Sequence, residues 1–202
     1  MKNIFSAALS MSASSSLILL TIVAAVGVVL PQTADREGTI LTNQKHAVTY
    51  VLTNDNLILT MEILDDFSDD TASKSKAVDF MGFEIDVNQN KLVDKNIDLA
   101  FARVAYESRI CTQYLYDRQG SSGCGRYRSK ASLDVNFRAT EKEGRPHPVY
   151  KFTIPRNEIL LGKNQLDMVF RFHSADKGYT YYPAKVNNPG YHSFVETIRV
   201  TF

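Results

Sequence analysis

The sharpest motif in this 202-residue chain is Asp86-Val-Asn88-Gln-Asn90-Lys-Leu-Val-Asp94-Lys-Asn-Ile-Asp98, with side-chain oxygens at relative positions 1, 3, 5, 9 and 13. Calcium is a hard cation that takes about 6–8 oxygen ligands, and Asp and Asn at alternate positions of a tight loop can wrap it. The spacing therefore predicts a calcium site with Asp86, Asn88, Asn90, Asp94 and Asp98 as ligands and a carbonyl near Leu92 as a further donor. The same run also suits a metal-free turn, because Asn and Asp side chains bond their own backbone.

The only two cysteines, Cys111 and Cys124, are separated by a short segment containing Gly120 and Gly123. In an oxidising compartment two such thiols pair. Closing so short a loop gains roughly 3 kcal/mol. Basic and aromatic residues surround this loop, among them Arg109, Arg118, Arg126, Arg128, Tyr114, Tyr116 and Tyr127. Arg forks match carboxylates and sulfates, and Tyr faces stack on sugar rings. Tyr114, Tyr116, Arg126 and Arg128 are thus candidate contacts for a glycan or an acidic partner, with a solvated sheet edge guarded by Arg and Lys as the plainer alternative. A second aromatic group, Tyr179-Thr-Tyr181-Tyr182-Pro183, reads as a loop packed on the end of the fold or as a recognition surface.

Catalytic signatures are lacking. His46, His147, His173 and His192 have no zinc-ligand spacing, there is no Gly-x-Ser-x-Gly elbow, and Asp65-Asp66 and Asp69-Asp70 lie in a polar run. A binding or structural role is expected rather than an enzyme, with a hydrolase assembled from scattered loop residues as the minority reading. A formal net charge of +1 offers no field for nucleic acid.

The Asp86–Asp98 run resembles the calcium loops of EF-hands, dockerins and thrombospondin repeats. It differs in carrying Lys91 where those loops have Gly and in placing Asp98 one residue late. A strand ending in Asp-x-Asn-x-Asn, and the later Val149-Tyr-Lys-Phe-Thr-Ile-Pro155-Arg-Asn-Glu-Ile-Leu160, are similar to β-sandwich carbohydrate-binding domains of the DOMON and family-9 type. That resemblance implies a sandwich fold and a glycan ligand, although Trp is absent and the aromatic supply is ten Tyr and eleven Phe.

The elements that would position these groups follow from period-two alternation, the mark of half-buried antiparallel strands. It is visible over 45–53, 57–63, 80–87, 97–105, 131–138, 150–154, 166–172 and 194–202, with a turn at Asn54-Asp55-Asn56. Pro155 suits the first position of a short helix ended by Gly162. The expected fold is all-β, an antiparallel β-sandwich of jelly-roll or immunoglobulin-like type over residues 35–202. An N-terminal hydrophobic helix is expected to precede it over residues 1–34.

That first segment carries no charge from Asn3 to Ala34 and includes the apolar run Leu17 to Leu30. It reads as a signal peptide or a retained membrane anchor. Either places the domain outside the cytoplasm, as a secreted, periplasmic or surface-anchored protein. Two functions follow. One is a calcium-stabilised extracytoplasmic binding module for glycans or a cell-surface protein. The other is a surface-assembly or filament subunit that self-associates, using its hydrophobic N-terminus.

Overall fold

In a computed structural model, the described residues are 35–70, 79–94, 96–103, 110–114, 128–184, 194 and 196–202. The hydrophobic helix expected over residues 1–34 lies outside them. Among the described residues no helix is long and apolar enough to cross a membrane. Residues Gln32–Phe202 form one compact unit.

Eleven strands are described: β1 (Arg36–Thr42), β2 (His46–Leu52), β3 (Asn56–Ile63), β4 (Phe80–Asp86), β5 (Leu99–Arg103), β6 (Ile110–Tyr114), β7 (Ser132–Arg138), β8 (His147–Pro155), β9 (Gln165–Ser174), β10 (Gly178–Tyr182) and β11 (Ile198–Thr201). One sheet, A, runs β1-β2-β3-β8-β7, and the other, B, runs β10-β9-β4-β5-β6. All pairings are antiparallel, and β11 joins the edge of β9 beside β10. The protein is therefore all-β, two antiparallel sheets sharing one core, as the alternation predicts.

That core explains the pattern. Leu57, Leu59, Met61 and Ile63 of β3 turn inward with Tyr150, Phe152 and Ile154 of β8, facing Met81, Phe83 and Ile85 of β4 and Leu166, Met168, Phe170 and Phe172 of β9. Phe83 is their hub. Its ring stacks on Phe101 at 5.1 Å, meets Phe152 of the opposite sheet edge-on at 5.2 Å, and tilts against Phe170 at 6.4 Å. The turn between β2 and β3 closes through Thr53 and Asn56, which bond reciprocally through Thr53 N–H to the Asn56 carbonyl and Asn56 N–H to Thr53 Oγ1.

Some expectations are corrected. The short helix α1 (Arg156–Ile159) exists, but Pro155 is its cap with extended ψ of 126°, one place earlier than expected. Tyr179 to Tyr182 form strand β10 rather than a loop. Phe194 does not extend the last strand. It packs with Val93, Ala100 and Val169 on the outer side of sheet B. Small residues make room on that side: a Cβ on Gly82 would come within 2.8 Å of both the Ala102 Cβ and the Phe101 carbonyl.

One arginine enters the interior from the end of β5. Arg103 is 2% exposed, and its Nη1 donates to the Tyr150 hydroxyl at 2.6 Å and to the Asp79 carbonyl at 3.1 Å. The Tyr150 hydroxyl donates to the same carbonyl at 2.7 Å. Burial raises the Tyr150 phenol, so it stays a neutral donor. These bonds tie β8 of sheet A to Asp79, the residue just before β4 of sheet B.

Candidate functional site

The Asp86 loop leaves the end of β4 as a tightly wound turn. Asp86 is fully buried and acts as the strut: Oδ1 accepts from the N–H groups of Gln89 and Asn90 at 2.7 and 3.3 Å, and Oδ2 from that of Lys91 at 2.8 Å. Lys91, standing where calcium loops carry Gly, adopts φ of 62°, so the sharp bend is made without glycine. Asp98, also fully buried, accepts from Val87 N–H at 2.9 Å and Asp94 N–H at 2.6 Å. Asn88 and Asn90 each direct Nδ2 to Asp94 Oδ2 at 2.6 Å.

The five predicted residues are thus brought together but divided by role. Asn88, Asn90 and Asp94 converge on one point at the loop surface, while Asp86 and Asp98 spend their oxygens on backbone N–H groups. Rotating the Asn88 amide would turn its oxygen toward the same point, whereas Asn90 Oδ1 is engaged by the Leu92 N–H at 2.7 Å and would have to release it. The surroundings are electronegative. Asp167 lies directly across from Asp86 in the β4–β9 register and needs a two-bond clasp from Arg199, both contacts at 2.8 Å. Burial, with the charges of Asp86 and Asp94, pushes the Asp98 carboxyl up to about 6, against the opposing effect of its two N–H donors. Among the described residues no three His, Cys, Asp or Glu side chains are gathered as a metal cage. A cation here would therefore draw on Asn88 and Asn90 as well as Asp94.

The surface expected around Cys111 and Cys124 is only partly placed. Tyr116, Arg126 and Cys124 lie outside the described residues. Tyr114 sits on β6 opposite Leu99, Cys111 is buried opposite Ala102, and Arg128 is exposed.

A different surface is assembled more completely. On the outer face of sheet B, the register sets Phe80, His173 and Tyr179 in one cross-strand row and Gly82, Arg171 and Tyr181 in the next. His173 and Tyr179 rings approach to 4.2 Å, Tyr179 and Tyr181 lie nearly parallel at 6.2 Å, and the Arg171 guanidinium sits 4.6 Å from the Phe80 ring centre. Tyr179 is 60% exposed, so its ring face and hydroxyl both reach solvent. The neighbouring Tyr182 points the other way, to Phe172 and to His46, whose Nδ1 lies 3.1 Å from the Tyr182 hydroxyl. His46 is buried and hydrogen-bonded as its place on the alternating face predicts, and burial pushes its imidazole down to about 4.

Buried polar chemistry also pins the 139–146 loop over sheet A. Glu62, 2% exposed, accepts from Thr140 Oγ1 at 2.7 Å and Lys142 Nζ at 3.0 Å, and its Oε2 lies 3.1 Å from His147 Nε2. His147 Nδ1 faces the Arg145 carbonyl at 2.9 Å. Burial alone would raise the Glu62 carboxyl, but the bonds from Thr140, Lys142 and His147 outweigh it and hold the group below its usual value.

Comparison with protein-family models, with curated proteins and with solved structures returns no match. What the fold and these surfaces define is a class, an antiparallel two-sheet domain with an aromatic outer face and an Asx-dense end loop.

Proposed function

We propose that this chain is an extracytoplasmic β-sandwich binding module that takes glycans on the Tyr179–Tyr181 face of sheet B, with calcium stabilising the Asp86–Asp98 loop. The observation that carries the reading is the exposed Tyr179 ring, flanked by His173 and Tyr181 on rigid strands. Tyr offers a broad stacking face with only two side-chain torsions to freeze, and its hydroxyl reaches sugar oxygens. The Cys111–Cys124 pairing belongs to the same extracytoplasmic reading.

Affinity electrophoresis of the full chain through gels holding xylan, cellulose derivatives or pectin tests this. Tyr179→Ala should weaken retardation about tenfold, because a stacked ring is worth up to about 1.5 kcal/mol. Its melting temperature should hold, since the ring is largely exposed. Equal retardation of wild type and variant on a gel that does bind the protein would remove the platform from the account.

The calcium arm is separate. Ligand binding to the native state adds RT ln(1 + [L]/Kd), about 2.7 kcal/mol at a hundredfold excess over Kd. The gain in melting temperature between EDTA and millimolar calcium should be larger in wild type than in Asp94→Ala, which removes the point on which both amides converge. Identical gains would show the loop to be a metal-free turn.

A further inference from the structure

At the end of the sandwich opposite the Asp86 loop, two carboxylates are buried and half used. Asp66 follows the turn leaving β3 and is 3% exposed, and Asp79 immediately precedes β4 and is fully buried. Each is anchored by one oxygen: Asp66 Oδ1 accepts from Ser68 N–H at 3.0 Å, and Asp79 Oδ1 from Ala175 N–H at 3.1 Å. The second oxygen of each, Asp66 Oδ2 and Asp79 Oδ2, is buried without a hydrogen-bond partner. A buried oxygen left unpaired costs about 1–3 kcal/mol, more when charged. Both unpaired oxygens lie at this end of the fold, and hydrogen bonds link the two carboxylates to the same β9–β10 turn, Asp66 through Ser68 to Asp176 and Asp79 directly to Ala175.

The surroundings sharpen the point. Asp176, on the β9–β10 turn, receives the Ser68 hydroxyl at 3.4 Å. Lys177, on the same turn, is committed to Asp65 at 2.9 Å. Arg103 donates to the Asp79 carbonyl and to Tyr150. Burial first, and then the charges of Asp66 and Asp70, push the Asp79 carboxyl up to about 7, with the Ala175 N–H and Arg103 acting the other way. Asp70 is raised by burial and then by Asp176, Asp66 and Asp69. Carboxylates that raise one another are the surroundings a cation relieves.

We propose that Asp66 and Asp79 form a binding site for a hard divalent cation, calcium or magnesium, with the Asp70 and Asp176 carboxylates in its outer surroundings. Two carboxylates do not complete a coordination shell, and such ions fill the remainder with backbone carbonyls and water. The ion would clamp the end of β3 in sheet A to the start of β4 in sheet B. This site is independent of the glycan reading and of the Asp86 loop.

The test removes the loop first. In full-length Asp94→Ala protein, millimolar calcium or magnesium should still raise the melting temperature over EDTA. Adding Asp66→Asn and Asp79→Asn should abolish that gain while leaving the EDTA melting temperature equal or higher, since the changes remove repulsion. Terbium gives a second readout. Tyr150 bonds the Asp79 carbonyl, so a lanthanide at Asp79 is excited through that tyrosine, and Asp79→Asn alone should lose most of the sensitised emission. No cation-dependent gain in Asp94→Ala, or a gain that survives both Asn substitutions, overturns the proposal. Terbium emission unchanged by Asp79→Asn overturns it equally, even if the double variant fails to fold.

Discussion

Phe83→Ala should cost about 3–5 kcal/mol, the range for deleting a large aromatic side chain from a packed core. The ring is 1% exposed and touches aromatic residues from three strands, one of them in the opposite sheet. Neither sheet can slide into the gap without breaking the β4 ladders to β5 and β9. For a domain of this size each kcal/mol moves the midpoint about 2–4 °C, so the melting temperature should fall by roughly 6–20 °C. Urea unfolding with an unchanged slope would confirm lost stability rather than a changed denatured state. A loss below about 1 kcal/mol would mean that the two sheets do not share the core at Phe83.

Glu62→Ala should be nearly as damaging, about 3–5 kcal/mol, because it strips one partner from a buried charged network. It leaves His147 Nε2 facing nothing and cuts Lys142 and Thr140 loose. The acid limb carries a second signature. The folded-state carboxyl lies below its ordinary value of 4.5, so its contribution is fully present above that pH and is lost as pH falls through the lowered value. Wild type should therefore lose stability on acidification below about pH 4.5 in a way that Glu62→Gln does not. Parallel acid limbs in the two proteins would show the network to be energetically silent.

Some of the strands that alternation revealed have one face on the core and one on solvent, whereas β4 and β5 are buried on both. β7 reads cleanly because Leu133, Val135 and Phe137 alternate with Ser132, Asp134, Asn136 and Arg138, and β3 keeps the contrast at Thr60 and Glu62 but not at Ile58. β1 carries Arg36-Glu37-Gly38 and is exposed on both faces over that stretch, so no period arises. β10 hid for the opposite reason. Tyr179 and Tyr181 on the outer side match Tyr182 on the inner side in hydrophobicity, which erases the contrast. The Asx loop was legible because all of its groups lie within thirteen residues of chain. The aromatic platform was legible only as a cluster of tyrosines, since its partners Phe80 and His173 arrive through a three-strand register. The Asp66–Asp79 pair left no pattern either. Asp66 sits in polar sequence and Asp79 between Val78 and Phe80, and burial is what sets both apart.

The reading of the protein as a glycan-binding module is tested most directly by amide chemical-shift mapping on isotope-labelled full-length protein titrated with xylo-, cello- and oligogalacturonate fragments. The account predicts saturable shifts concentrated on Gly178 to Tyr182 and on Arg171 and His173 across the ladder, lost in Tyr179→Ala. Shifts gathered instead around Tyr114 and Arg128, or no saturable shift with any of these sugars, would contradict it.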